Sequence, residues 1–455
     1  MTVYQTEVAA PSLLSTDCFE SMARPRSCLL TAIVLLAGLG SGFLLLLFTG
    51  RRSADSQIDA IRKAGLPTNG EQLNNYYAVP RDIDDTTGAW TAVTAAVSSK
   101  SFEEKVEPLP VVGLGPDPVL PGEEWPQLEE CRTALATTVS EELIIIRTAA
   151  AAGGHARFPV DFRAGLAATL TNTSQMRPVA RILMLDAYVA AHDGDTDRVA
   201  ADIRDMLAAS EALGSEPTLI SQLVRAAIYG MAVKTFQELL PHGEWSDELL
   251  VDLETRFLQS NPRRGFRRAF IAERAIGLQS LDSVPNRTGN KLLLLDLMKD
   301  VIDAYDESWP RVLEESEKTD AEIIELSGSL IAKVRYAGVL MLLPALKHAT
   351  EAGIALEARR RTTAVAIEMY RHRLKHGGYP TSLEEIQFSS DASDKSVLTR
   401  DPFNGEPLKL VTQRDAVVIY SVQRNKIDDD GDTKVDNPIR GDEGFRLPME
   451  ADSVK

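Results

Sequence analysis

Apolar positions along this chain fall first into one uninterrupted block and then into periodic ones. The block is Cys28 to Thr49, CLLTAIVLLAGLGSGFLLLLFT, and it holds no charged residue. Its ~22 positions match the roughly 20 that an α-helix needs to cross a hydrocarbon core about 30 Å thick. The pattern therefore predicts a transmembrane anchor at 28–49 behind a short tail at 1–27. A cleaved signal peptide fits less well, because its apolar core runs to roughly 7–15 residues and ends at an A-x-A-like site. Here Arg51 and Arg52 stop the run abruptly.

Residues 50–130 read as a juxtamembrane segment and spacer. Ser53–Ala64 suits a short helix, and Pro80 with the Asp-rich turn after it breaks structure. Glu107–Pro126 carries Pro108, Pro110, Pro116, Pro118, Pro121 and Pro126. Such a run is neither helix nor central strand, and it reads as an extended spacer.

Helical periodicity takes over at 131–350. Leu135, Val139, Leu143 and Ile146 recur at steps of three and four, and Gly153-Gly154 ends that helix. Within Pro178–Leu213, two helices flank the turn DGDT, with Ala180, Leu183, Ala187 and Ala190 set to pack on Val199, Ile203, Met206 and Leu207. A second hairpin follows, with Pro217–Leu240 as its first arm and Ser246 capping its second. The apolar stretch AEIIELSGSLIAKVRYAGVLMLLPAL is interrupted by Lys333 and Arg335 and limited by Pro344. Its unbroken part is too short to span a bilayer, so it reads as a core helix.

Residues 351–455 form a smaller α+β unit. A long helix is expected from Ala345 to His376, with Ala358, Thr362, Val365, Ala366 and Met369 on one face and Arg359–Arg361, Arg371 and Arg373 on the other. Gly377-Gly378 supplies its C-cap. Two short strands joined near Arg414-Asp415 make a hairpin, and a last strand lies at Gly444–Leu447. The fold class is thus mainly α with a small C-terminal α+β module.

Net charge is −17 and pI about 5.0, which removes the broad basic footprint of a nucleic-acid-binding protein. Three cysteines, Cys18, Cys28 and Cys131, leave one in the large downstream portion, so no disulfide framework can form there. No P-loop, dinucleotide fingerprint or Gly-x-Ser-x-Gly elbow occurs. His372 and His376 stand four apart with Glu368 one turn earlier, yet Arg373 takes the place where a zincin has its glutamate. They read as a polar helix face, and His155, His192, His242 and His348 as structural. The cluster Arg263, Arg264, Arg267 and Arg268 reads as a solvated helix start paired with nearby carboxylates, with headgroup contact as the alternative.

The acidic run Asp428-Asp429-Asp430-Gly431-Asp432, with Asp436 and Asn437, is the best ligand candidate. Calcium takes several oxygens at about 2.3–2.6 Å, and Asp428, Asp430, Asp432 and Asp436 could supply them. An EF-hand is excluded because Lys426 would occupy the first ligand position. A solvated acidic turn remains the alternative.

Three linked motifs, HGGYPTSLEEI at 376–386, DPFNGEPL at 401–408 and IYSVQRNKIDDDGD at 419–432, give the last hundred or so residues a resemblance to the globular part of type II secretion major pseudopilins. The resemblance implies a helix feeding a small antiparallel sheet, and a calcium ion in the C-terminal loop. The pseudopilin processing motif is missing, and the anchor lies far upstream of this unit. The 178–213 hairpin resembles a tetratricopeptide repeat, and the whole layout is similar to a group of bacterial single-pass membrane proteins.

Arg24 and Arg26 precede the apolar block, whereas Arg51, Arg52, Arg62 and Lys63 follow it. A literal count would keep the large domain in the cytoplasm, but long domains translocate largely regardless of charge. With the resemblance, the expected arrangement is a short tail inside and the large domain outside a bacterial inner membrane. The leading function is a non-enzymatic envelope scaffold or assembly module beside secretion machinery, contacting the bilayer through Cys28–Thr49 and protein partners through the rest. The alternatives are an envelope hydrolase with its site in the helical domain, and a cytoplasmic tethered peptide-binding adaptor.

Overall fold

The computed structural model describes residues 53–342, 346–388, 395–433 and 441–449. The predicted anchor at 28–49 and the ligand candidate Asp436 lie outside the described residues. Among the described residues one helical run, Ala337–His376, is long and apolar enough to cross a membrane by length and composition.

The longer helices are α1 (Thr87–Val97), α2 (Ser140–Ala152), α3 (Thr171–His192), α4 (Thr196–Ala212), α5 (Leu219–Leu239), α6 (Asp247–Gln259), α7 (Pro262–Ser280), α8 (Arg287–Ala304), α9 (Trp309–Gly328) and α10 (Leu346–His376). The expected hairpin is α3–α4. Gly194 holds its turn at φ +72°, a left-handed value that costs glycine nothing, and the Asp195 side chain caps α4 by accepting from Arg198 N. Ala180, Leu183, Ala187 and Ala190 are buried with Val199, Ile203, Met206 and Leu207 in one core. α3 begins upstream of Pro178 and carries that proline inside the helix. α5 packs on both arms, and Ser246 caps α6 as the sequence suggests, through its hydroxyl and Leu249 N.

The sheet is antiparallel in the order β1 (Lys409–Thr412), β2 (Ala416–Ser421), β3 (Glu443–Pro448), with Leu410 and Phe445 on either side of Ile419. Strand alternation separates its faces. Val417, Ile419, Phe445 and Leu447 join the main helical core, while Ala416, Val418 and Tyr420 gather with Val411 in a small second cluster. β2 is buried on both faces for that reason.

α10 is the element on which the helices and the sheet meet, packing against α5, α6, α7, α9, β2 and β3. Gly353 makes the crossing with α7 close, since a Cβ there would stand 3.0 Å from the Phe266 ring. The arginines of α10 depart from the expected solvent face. Arg361 and Arg371 are buried, and ion pairs make their burial tolerable: Arg359 with Glu443, Arg360 and Arg361 with Glu357, Arg371 with Glu368 and Asp247.

Three further expectations are corrected. The proline-rich run 107–126 does not stand apart as an extended spacer. Leu109 and Trp125 sit in the main core, and Trp125 lies against the His192 ring at 5.2 Å, because the turns the prolines impose fold these apolar side chains back onto the end of α3. From Ala54 onward the chain forms one compact unit, with no separation at 131 or 351. The stretch expected as a single core helix after Ala321 is also broken. α9 ends at Gly328, Ser329 caps a new helix Leu330–Arg335, and Ala337–Leu342 follows.

Candidate functional site

α5, α10 and the sheet edge leave an open-sided groove of about 720 Å³ between them. Its floor is made of small or apolar side chains, Ala227, Gly230, Met231 and Val233 from α5 with Ala352 and Ala355 from α10. Its rim is charged. Arg359 grips Glu443 with two hydrogen bonds of 2.9 and 3.0 Å, and Arg424 reaches Glu351 at 2.8 Å. Gly230 lets Arg359 cross close over α5, since a Cβ would stand 3.0 Å from the guanidinium Nη1. At the end of the groove lies Asp442, 5% exposed. Its Oδ2 accepts from the backbone N–H groups of Asp429 and Gly431 at 3.2 and 2.9 Å. Burial first, and then Asp429 and Asp428, push its carboxyl up to about 6. Gln423, at φ +54°, completes the wall and donates weakly to Glu443.

The acidic loop beside this groove is organised by the protein's own donors. Asp428 accepts from Lys409 Nζ at 2.9 Å and from the Tyr420 hydroxyl at 2.9 Å, and Lys409 holds its carboxyl below the usual range. Asp430 occupies the left-handed region next to Gly431. Among the described residues no three acidic, histidine or cysteine side chains converge as a metal site. Asp428 is already engaged by Lys409 and Tyr420, and Asp436, the fourth of the expected ligands, lies outside the described residues. The Asp of the DPFNG motif has a structural task. Asp401, 2% exposed, accepts from Phe403 N, Ser421 Oγ and Val422 N at 2.8, 2.8 and 2.9 Å, tying the loop to the end of β2.

A second polar centre lies inside the helical part. His155 Nδ1 is 2.5 Å from Ser215 Oγ, and its Nε2 is 2.9 Å from Glu211 Oε1. Arg225, 1% exposed, donates to Glu211 Oε2 at 2.8 Å and to Ser260 Oγ at 2.9 Å. Burial would raise the Glu211 carboxyl, but Arg225 and His155 outweigh it and hold it low. Ser215, His155 and Glu211 have the residue types of a nucleophile, base and acid. Ser215 is 3% exposed, however, and a nearby cavity of about 260 Å³ is walled by Glu211, Asp205, Tyr229 and Ser260 rather than by Ser215 or His155. The Ser215 hydroxyl is buried against the His155 ring. The trio works as a lock joining the loop after α2 to the α4–α5 turn, where Glu216 also accepts from Phe158 N. Burial pushes Glu216 up to about 8.

The other sequence candidates are structural. His372 and His376 lie ring to ring at 4.4 Å, and His372 Nδ1 is bound to Gly378 O. In the basic cluster, Arg267 pairs with Asp306 at 2.7 Å, Arg264 approaches Asp82 at 3.6 Å, Arg263 donates to Glu307 O, and Arg268 donates to the carbonyls of Tyr76 and Ala78. The DGDT turn spends Asp193 on Arg132 and Arg198. Sequence reasoning missed Asp442, Glu443 and Gln423. Glu443 meets Arg359 84 positions away, and Asp442 and Gln423 bond across 11 to 20 positions, beyond the reach of a helical or strand period.

No known family model, no characterised protein and no solved structure matches this chain.

Proposed function

We propose that the chain is a non-enzymatic, single-pass anchored protein of the bacterial envelope, whose helical body presents a groove to a protein partner. The observation that supports this most is the make-up of the groove, an apolar floor of small side chains inside a rim of charges that already pair with one another. That is the anatomy of a protein-binding surface, where a buried apolar centre supplies affinity and a polar rim supplies register. Chemistry would need an exposed nucleophile or a poised acid–base pair on substrate. The one arrangement of that kind described above is closed to solvent. The anchor at 28–49 and an extracytoplasmic body complete the reading, with docking beside secretion machinery suggested by the pseudopilin resemblance.

The test is occlusion of the groove. Ala227→Trp and Ala352→Trp place indoles over the floor, and a photo-crosslinking residue at Met231 reports what sits there in intact membranes. Discrete adducts at position 231 that disappear in both tryptophan variants, with the melting midpoint unchanged, are the expected result. A lone monomer without adducts, recovered under several detergents, would overturn the proposal.

A further inference from the structure

The last turn of α9 and the segment after it are exposed where their composition calls for burial. Ile324 is 65% exposed, Leu330 and Ile331 are each 80%, Val334 is 83% and Met341 is 84%. Five large apolar side chains within eighteen consecutive positions make a patch of the kind that marks a protein or membrane contact. Lys333 and Arg335 are interleaved with them, and the Arg335 guanidinium lies over the Tyr336 ring at 5.3 Å.

This segment is held in place. Asn290 of α8, 1% exposed, donates to Arg335 O at 3.0 Å and accepts from Val339 N at 3.2 Å, and Asn286 donates to Arg335 O at 3.1 Å. Gly338 lets the backbone come close, since a Cβ there would stand 2.6 Å from Leu281. The patch is thus fixed with its apolar side chains outward.

α8 also carries the start of the described chain. Ala54 and Ile58 are buried, and Gln57 Nε2 donates to Asp296 Oδ1 at 3.4 Å. Asp296 and Asn290 are six positions apart, which is about 9 Å along a helix. Gln57 stands only eight positions after Thr49, the last residue of the uncharged run, a stretch that spans at most about 28 Å.

We infer that residues 324–341 form an interfacial foot, which lays Leu330, Ile331, Val334 and Met341 into the headgroup–acyl boundary of the bilayer that holds the anchor. The chemistry fits a lipid surface. Short helical pieces with apolar side chains on one side and Lys or Arg beside them partition into that boundary, and the cations favour anionic headgroups. A tyrosine at the edge is typical of the same depth. The foot would fix the body's orientation on the membrane, which attachment at a single point cannot do. The inference rests on the anchored reading of the chain, so the experiment separates the two.

The full chain, with Cys18 and Cys28 replaced by serine, is reconstituted into vesicles of phosphatidylcholine and phosphatidylglycerol. An environment-sensitive fluorophore is placed by Ile331→Cys, Val334→Cys or, as control, Asp415→Cys on the β1–β2 turn. Labels at 331 and 334 are expected to be blue-shifted and quenched by lipids carrying a nitroxide near the headgroup end of the acyl chain, while the label at 415 is quenched only by aqueous iodide. The inference is overturned, with the anchor intact, if iodide quenches all three equally while the chain resists carbonate extraction. It is also overturned if 331 and 334 are shielded from both quenchers and crosslink between chains, since the patch then meets a second copy. If carbonate releases the chain from the vesicles, the anchored reading fails and takes the foot with it.

Discussion

Replacing Phe236 by alanine is expected to destabilise the body by about 3–5 kcal/mol, the range for removing a fully buried aromatic from a packed core. Phe236 is wholly buried on α5, and its ring meets Trp245 at 5.3 Å edge-on, Phe257 at 5.8 Å and Phe445 at 5.6 Å. These partners come from the α5–α6 connection, α6 and β3, so one ring joins the helical layer to the sheet. Phe445→Ala should therefore cost a similar amount. The two substitutions should couple by about 0.5–1.5 kcal/mol in a double-mutant cycle, as expected for rings in contact. Equilibrium denaturation of the full chain in detergent reads both. Strict additivity would mean that the sheet is not fastened to the helices through this contact.

The second large effect is Glu357→Ala. Glu357 is 4% exposed and receives two hydrogen bonds from Arg360, at 2.8 and 2.9 Å, and one from Arg361 at 2.7 Å. Deleting it leaves two guanidinium groups in the interior without their counter-charge, which costs about 3–5 kcal/mol for a buried pair. Burial alone would raise the Glu357 carboxyl, but Arg360 and Arg361 outweigh it and hold the group at about 2, below its ordinary 4.5. The sign of the pH effect follows. Its contribution is complete above the unfolded-state value and is lost as pH falls from about 4.5 through about 2. In Glu357→Ala that acid-side loss should shrink relative to the parent chain. An unchanged acid limb, or a cost below about 1 kcal/mol, the level of an exposed pair, would contradict the internal ion-pair description.

What the sequence reveals and conceals divides on physical lines. The α3–α4 hairpin is legible because its packing is local. Apolar residues at three- and four-residue steps set the facing stripes, and DGDT sets the turn. The β1–β2 hairpin is legible for the same reason. The arginines of α10 are not. Glu357 and Glu368 lie within a turn of Arg360, Arg361 and Arg371, but the partners that draw this face inward are remote: Glu443 lies 84 positions from Arg359 and Asp247 lies 124 from Arg371. The prolines of 107–126 show which conformations are forbidden, but not that Leu109 and Trp125 reach the core. For 324–341, hydropathy favours burial, whereas the break at Gly328-Ser329 was the available sign that the helix would stop and turn its side chains outward. The groove is the least legible feature, because α5, α10, the acidic loop and the sheet edge that line it are separate in the chain.

Whether residues 28–49 hold the mature chain in a bilayer is decided most directly by alkaline carbonate extraction of membranes, followed by protease treatment of spheroplasts. The account predicts that the intact chain stays with the lipid pellet, that deletion of 28–49 releases it, and that external protease digests the body. Release of the intact chain by carbonate, or recovery of a mature form that lacks those residues, would contradict it.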